Sequence, residues 1–193
     1  MLMHTKTLGM AFSLVTLLVS CSEAAPPPQP TQSVAPPAAA TQSYNTDITI
    51  REIMASLVDP HADAIWNSVR VVSDANGITE YVPETDEDWL ALRIGAISII
   101  EGANALMMPG RQVAPPGAEG EFPEYEFTPE EVAAKLTADP DSWIGFAGGL
   151  QNAAFEILGA IDARDTDRLV EWGAHLDETC EACHSVYWYR AGI

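Results

Sequence analysis

Basic residues are what this chain most lacks. Of 193 residues only 9 are Lys or Arg, against 28 Asp or Glu, for a formal net charge of −19. A surface of that sign excludes nucleic acid as a partner and leaves no basic patch to hold the domain on anionic lipid; it favours solubility or encounter with a basic protein. Cysteine is almost as scarce, at three. One closes an N-terminal apolar stretch and two stand close together near the C-terminus, so none is left over for a structural disulfide. Long clean apolar runs are missing as well: the most hydrophobic interior stretch, around residues 89–107, is interrupted by Arg93 and Glu101 before about 18 residues have passed, which points to a buried core helix rather than a membrane span.

Residues 1–21 have the form of a secretory leader, with Lys6 in a short basic region and an apolar run over residues 8–19. The leader ends in Leu18-Val19-Ser20-Cys21, which resembles the lipobox of bacterial lipoproteins, where the cysteine becomes the lipidated first residue. An ordinary cleaved leader would instead leave Cys21 as an unpaired thiol in an oxidising compartment. Ser22, in place of Asp, resembles the pattern that sorts such proteins to the outer membrane. Residues 22–46 are rich in Pro, Ala, Gln, Ser and Thr without apolar periodicity, so they form an extended tether that buries too little surface to order itself. Residues 47–193 remain for one folded domain, lipid-anchored through Cys21 on the periplasmic side of the envelope.

Four stretches of that domain have helical periodicity, and no convincing alternation of strand residues is evident, so the expectation is all-α, an antiparallel four-helix bundle. The first covers about 47–73, with Ile50, Ile53, Met54, Leu57, Ile65, Trp66 and Val69 on one face. Asp59-Pro60 interrupts it and predicts a kink, or a restart with Asp59 as a second N-cap. The second begins in the acidic turn 84–88 and runs to Met107, where Pro109-Gly110 stops it. A 109–140 excursion follows, long for a bundle connection, in which Thr128-Pro129-Glu130-Glu131 predicts a capping-box start for a short helix to about Ala138. The third follows Asp141, with Phe146, Leu150, Ala153, Ile157 and Ile161 on one face. The fourth follows Asp165-Thr166-Asp167, with Leu169, Trp172, Leu176, Thr179, Cys180, Cys183 and Tyr187 on one stripe.

The chemistry lies in Cys180-Glu181-Ala182-Cys183-His184. Spacings of i, i+3 and i+4 put both thiols and the imidazole on one side of a helix. That arrangement suits covalent haem attachment, in which two thiols reach the two vinyl groups and the imidazole reaches the iron. A thioredoxin-like pair calls for a preceding strand that is not evident. A zinc site calls for a fourth donor, and His175, nine residues before His184, falls on the opposite face.

With those residues in place, the chain resembles the class II cytochromes c, the cytochrome c-prime group, over residues 48–189: a terminal Cys-x-x-Cys-His, four helical segments, and in Ile50-Arg51-Glu52-Ile53-Met54 a methionine similar to the sixth ligand of the low-spin members. The resemblance implies one haem c on Cys180 and Cys183, His184 as axial iron ligand, and either Met54 as sixth ligand or a five-coordinate iron. On spacing alone Met54 reads as core filler, and only the resemblance puts the ligand reading level with it. His61 is a further candidate for the iron if the first helix continues past Pro60, and a surface histidine if it does not. Trp66, Trp89, Trp143 and Trp172 are expected in the core, and Tyr187, Trp188 and Tyr189 over the edge of the site or in ordinary C-terminal packing. The function expected is electron transfer with a redox partner protein, with binding of a diatomic gas such as nitric oxide, or a structural assembly role, as alternatives. No enzymatic activity is expected, and a homodimer is compatible with the pattern.

Overall fold

Three threonine–carboxylate pairs decide where helices begin. The computed structural model describes residues 44–118 and 122–190; Cys21, the leader and residues 22–43 of the tether lie outside the described residues. Thr49 is buried and opens α1 (Ile50–Ile53): its hydroxyl accepts from the Glu52 N–H at 3.3 Å while its own N–H donates to the Glu52 carboxylate at 2.9 Å. Thr85 and Asp88 make the same reciprocal pair at α3 (Asp86–Leu106), and Thr128 and Glu131 at α4 (Pro129–Ala138), the start expected from the sequence. Each box satisfies N–H groups that a helix start leaves without partners. Asp139 caps α5 (Pro140–Ala163) and Asp165 caps α6 (Thr166–Tyr187).

The first helix does not restart with Asp59 as a cap at Pro60. α1 passes into a π turn (Met54–Val58) and then α2 (Asp59–Ser68), with Asp59 in helical conformation, its N–H donating to the Met54 carbonyl five residues back and its side chain capping nothing. In a regular helix the Pro60 ring would collide with the Ser56 carbonyl and leave it without a donor. Widening the turn by one residue gives that carbonyl room while the helix continues.

The helix expected to reach residue 73 stops at Ser68. A hairpin follows, β1 (Arg70–Asp74) with β2 (Gly77–Tyr81), antiparallel in the register Arg70↔Tyr81 to Asp74↔Gly77. The domain is therefore mainly helical with a small hairpin rather than a pure four-helix bundle. β-branched residues at Val69, Val71, Val72, Ile78 and Thr79 favour extended backbone. Ala75-Asn76 forms the two-residue turn, with Gly77 opening β2 at φ +126° and the Asp74 carboxylate accepting from the Asn76 N–H at 2.7 Å.

The core forms where α3 packs on α5, α5 on α6 and α2 on α3. Ile99, Ile157, Leu169 and Leu176 are fully buried, and Ala96, Ala103, Ala154 and Ala160 let the helix axes approach. Trp66, expected inside, is 36% exposed and donates its indole N–H to the Gly173 carbonyl at 2.9 Å. α3 and α5 are long and apolar enough to cross a membrane by length and composition alone; half of the apolar window of α3 is buried within the domain. The excursion is partly structured: after α3 the chain folds back so that the Ile50 and Arg51 N–H groups donate to the Gln112 and Val113 carbonyls at 2.9 and 3.0 Å, and Arg111 donates to the Ala105 and Ile48 carbonyls. Its far end joins the end of α6 through a Glu126↔Tyr189 bridge and a Phe127 N–H donating to the Trp188 carbonyl at 2.8 Å.

The Thr49 box carries a testable stability. Hydrogen bonds from the Thr49 backbone and hydroxyl hold the Glu52 carboxyl below its usual range. A depressed carboxylate contributes stability that is present above the ordinary carboxylate range and lost as pH falls through it. Thr49→Ala should cost about 1 kcal/mol in urea denaturation at pH 7, and the deficit of Glu52→Gln relative to the unsubstituted protein should narrow between pH 7 and pH 3; a deficit independent of pH would contradict the assignment.

Candidate functional site

α6 is held in rotation by Leu169 and Leu176, both buried against α5, and that rotation aims its next turns inward. Cys180, Cys183 and His184 consequently line one wall of an open cavity of about 320 Å³, each of them half-buried. The opposite wall comes from the first helix: Ile50, Met54, Ala55 and Asp59. Met54 and the α6 triad, picked out separately in the sequence, thus face a common space. That volume is in the range of small-molecule and cofactor sites, and the lining is mainly apolar.

The π turn decides which residues of the first helix reach the cavity. On an unbroken α-helix Met54 and His61 would lie within about 20° of one face, and Asp59 would point well away. One extra residue in the turn displaces everything after it by about 100°. Asp59 therefore comes to the cavity beside Met54, while the His61 ring packs on Gly95 of α3, where an added Cβ would meet Nδ1 at 3.4 Å. His61 is not part of the cavity lining. Gly102 is needed at the same level, since a Cβ there would stand 3.0 Å from the Val58 side chain.

The remaining walls are aromatic and aliphatic. Trp143 and Phe146 of α5 meet Tyr187 edge-on at 5.2 and 5.9 Å, and the Trp143 indole donates to the Leu106 carbonyl at 2.8 Å, so the largest polar group on that side is satisfied. The excursion contributes Val113, Phe122, Phe127 and Val132, with Lys135 and Arg190 over the Phe127 ring at 4.2 and 4.8 Å. These wall residues were not predicted from the sequence. The signal available was the Thr128 capping box, which marks a folded element, together with isolated Phe and Val in an otherwise Pro-, Gly- and Glu-rich run.

Burial sets the protonation states. It pushes the Cys180 thiol up to about 11, helped by the negative charges of Asp177, Glu181 and Asp59, and pushes Cys183 up to about 12, with Cys180 adding to the effect. A dithiol oxidoreductase needs a thiol with a lowered pKa, which neither cysteine has. Burial lowers His184 below the usual imidazole value and outweighs the opposing pull of Glu181 and Asp59, so at neutral pH the ring keeps a free lone pair. His175 is exposed and pairs with Glu178 at 3.2 Å, away from the cavity. Met107 is partly buried against the core, and the Met108 sulfur accepts from Arg111; neither lines the cavity.

Among the described residues no three His, Cys, Asp or Glu side chains gather to hold a metal on protein atoms alone, so a zinc site lacks its donor set. A metal arriving within its own macrocycle needs only one or two side-chain donors. A half-buried imidazole, a thioether and two neutral thiols around an apolar cavity suit an iron porphyrin.

The thiol environment predicts slow alkylation. In protein made without haem and carrying Cys21→Ser, Cys180 should hold roughly 100-fold and Cys183 roughly 1,000-fold less thiolate at neutral pH than an unperturbed thiol, so iodoacetamide labelling should stay slow to pH 9 and rise towards pH 11; a midpoint near 8.5 would contradict it. Comparison with family models, with curated proteins and with solved structures gives no match in any of the three.

Proposed function

We propose that the domain is an exported c-type cytochrome that carries single electrons, with one haem held covalently by Cys180 and Cys183. The observation that supports this most is the single cavity lined by both thiols, the His184 imidazole and the Met54 thioether. The reading also rests on the resemblance of the terminal Cys-x-x-Cys-His to that of the cytochrome c-prime group.

Each residue has a distinct task. Cys180 and Cys183 fix the macrocycle through thioethers, each S–H adding across one vinyl group with no change in electron count. Neutral thiols are the right reactants for that addition but poor spontaneous nucleophiles, so attachment depends on a ligation machinery. His184, with its lone pair free, supplies the proximal nitrogen. Met54 supplies a thioether, which requires no deprotonation and tolerates a dry pocket. A haem bound there supplies a one-electron couple at iron, and a methionine ligand sets it towards higher potential. Trp143, Phe146, Phe127 and Val113 exclude water from the site. Cys21 would anchor the chain in lipid, and residues 22–46 would give the domain reach from the membrane.

Ligation is tested by absorption. The ferric protein should be low-spin with the weak far-red band of methionine-to-iron ligation, and Met54→Ala should lose that band and bind carbon monoxide readily when reduced. A wild-type protein that is already high-spin and binds carbon monoxide without resistance would replace electron transfer with gas binding. His61 is expected to play no part, so His61→Ala should leave the spectrum unchanged.

A further inference from the structure

Three aromatic side chains come to the surface beside the cavity, at the end of α6. The Trp188 ring lies 4.7 Å from the His184 imidazole at 79°, and Tyr189 stacks on Trp188 at 5.1 Å and 16°. Tyr125 is brought to the same end by the chain pairing there: the Arg190 N–H donates to the Tyr125 carbonyl at 2.8 Å, and Glu126 bridges to Tyr189. Trp188 is 41% exposed and Tyr125 50%. Exposed aromatics in such a group mark interaction surfaces.

Carboxylates stand at the edge of this patch. Glu181, Glu126 and Tyr125 lie close enough to Tyr189 to add to the effect of burial in raising its phenol. The nearest cation, Arg190, is already engaged by Glu131 and by the Glu126 carbonyl. Aromatic residues supply a contact that packs without side-chain entropy loss, and a carboxylate rim steers an oppositely charged protein onto it. The exposed Val71 and Ile78 belong instead to the hairpin, and Leu90 and Ile94 to α3.

We infer that Tyr125, Trp188 and Tyr189, rimmed by Glu126 and Glu181, form the docking surface for a redox protein with a lysine-rich face. This rests on the cytochrome reading and names the partner's chemistry. One electron leaves the reduced member of the pair and is taken up by the oxidised member; no bond is made or broken and no proton moves. Contact at Trp188 puts the partner one aromatic ring away from His184, which keeps the transfer distance short.

The test uses the haem-loaded, lipid-free protein (Cys21→Ser) and a lysine-rich cytochrome c of net positive charge as the probe, with electron transfer followed by stopped flow. The bimolecular rate should fall with rising ionic strength. Tyr125→Ser with Glu126→Gln should lower it by about tenfold at low salt, while the absorption spectrum, the midpoint potential and the rate with a small cobalt complex stay unchanged. Asp63→Asn, equal in charge removed but placed on α2, should change the rate with the protein probe less than twofold. Equal losses in the two variants would overturn the docking surface, because net charge alone would then do the steering. A shift in sedimentation of the Tyr125 and Glu126 variant, with its rate unchanged, would also overturn it and assign the patch to a second copy. Failure of the underlying reading would show earlier and separately, as a purified protein without a haem spectrum.

Discussion

The rotation of α6 about its own axis is the constraint on which the rest depends. Cys180, Cys183 and His184 share a helix face by spacing alone, yet that face becomes a site only when it is turned inward. Leu169 and Leu176 set the turn by sitting wholly buried, about three turns and one turn ahead of the motif. Opposite, the first helix is fixed by a different device: its N-terminus is pinned by the Thr49 box and by the Gln112 and Val113 carbonyls, and its register is offset by one residue at the π turn. Met54 is presented between those two restraints. The two walls are thus positioned independently, and the cavity is the space they leave.

The excursion between α3 and α5 supplies what two helices cannot. Helices meeting at one seam leave a groove open to water, and a cofactor site needs at least one further wall to lower its polarity. Val113, Phe122 and Phe127 provide it, held in place by backbone pairing to α1 at one end and to the end of α6 at the other. The same dryness keeps both thiols protonated and the imidazole neutral. One physical cause therefore accounts for the apolar lining and for the protonation states of all three α6 groups.

Much of this was legible in the sequence where local chemistry is decisive. The cap at Thr128, the buried faces of α3, α5 and α6, and the grouping of Cys180, Cys183 and His184 on one face follow from 3.6-residue periodicity and from which side chains can bond a helix start. What escaped was set by competition between weak signals. Residues 69–73 continue a helical face in pattern, but Val71 and Val72 lose rotamer freedom in a helix and the Ala75-Asn76 turn, followed by Gly77, offers them a strand partner, so the hairpin prevails. Pro60 signalled a disturbance without specifying its form. A restart at Asp59 and a one-residue π turn both relieve the clash with Ser56; the buried Val58 and Ala62, which hold the segment against α3, are compatible with the turn that keeps the helix continuous. Whether His61 would reach the cavity could not be known before that choice.

Covalent haem on α6 is the claim that carries all the others. Intact-mass measurement of the protein matured in a periplasm with haem-ligation machinery tests it most directly. The account predicts one added haem that remains on the chain after acid–acetone extraction, lost in Cys180→Ala with Cys183→Ala. A chain of unmodified mass, or pigment extracted from intact protein, would contradict it.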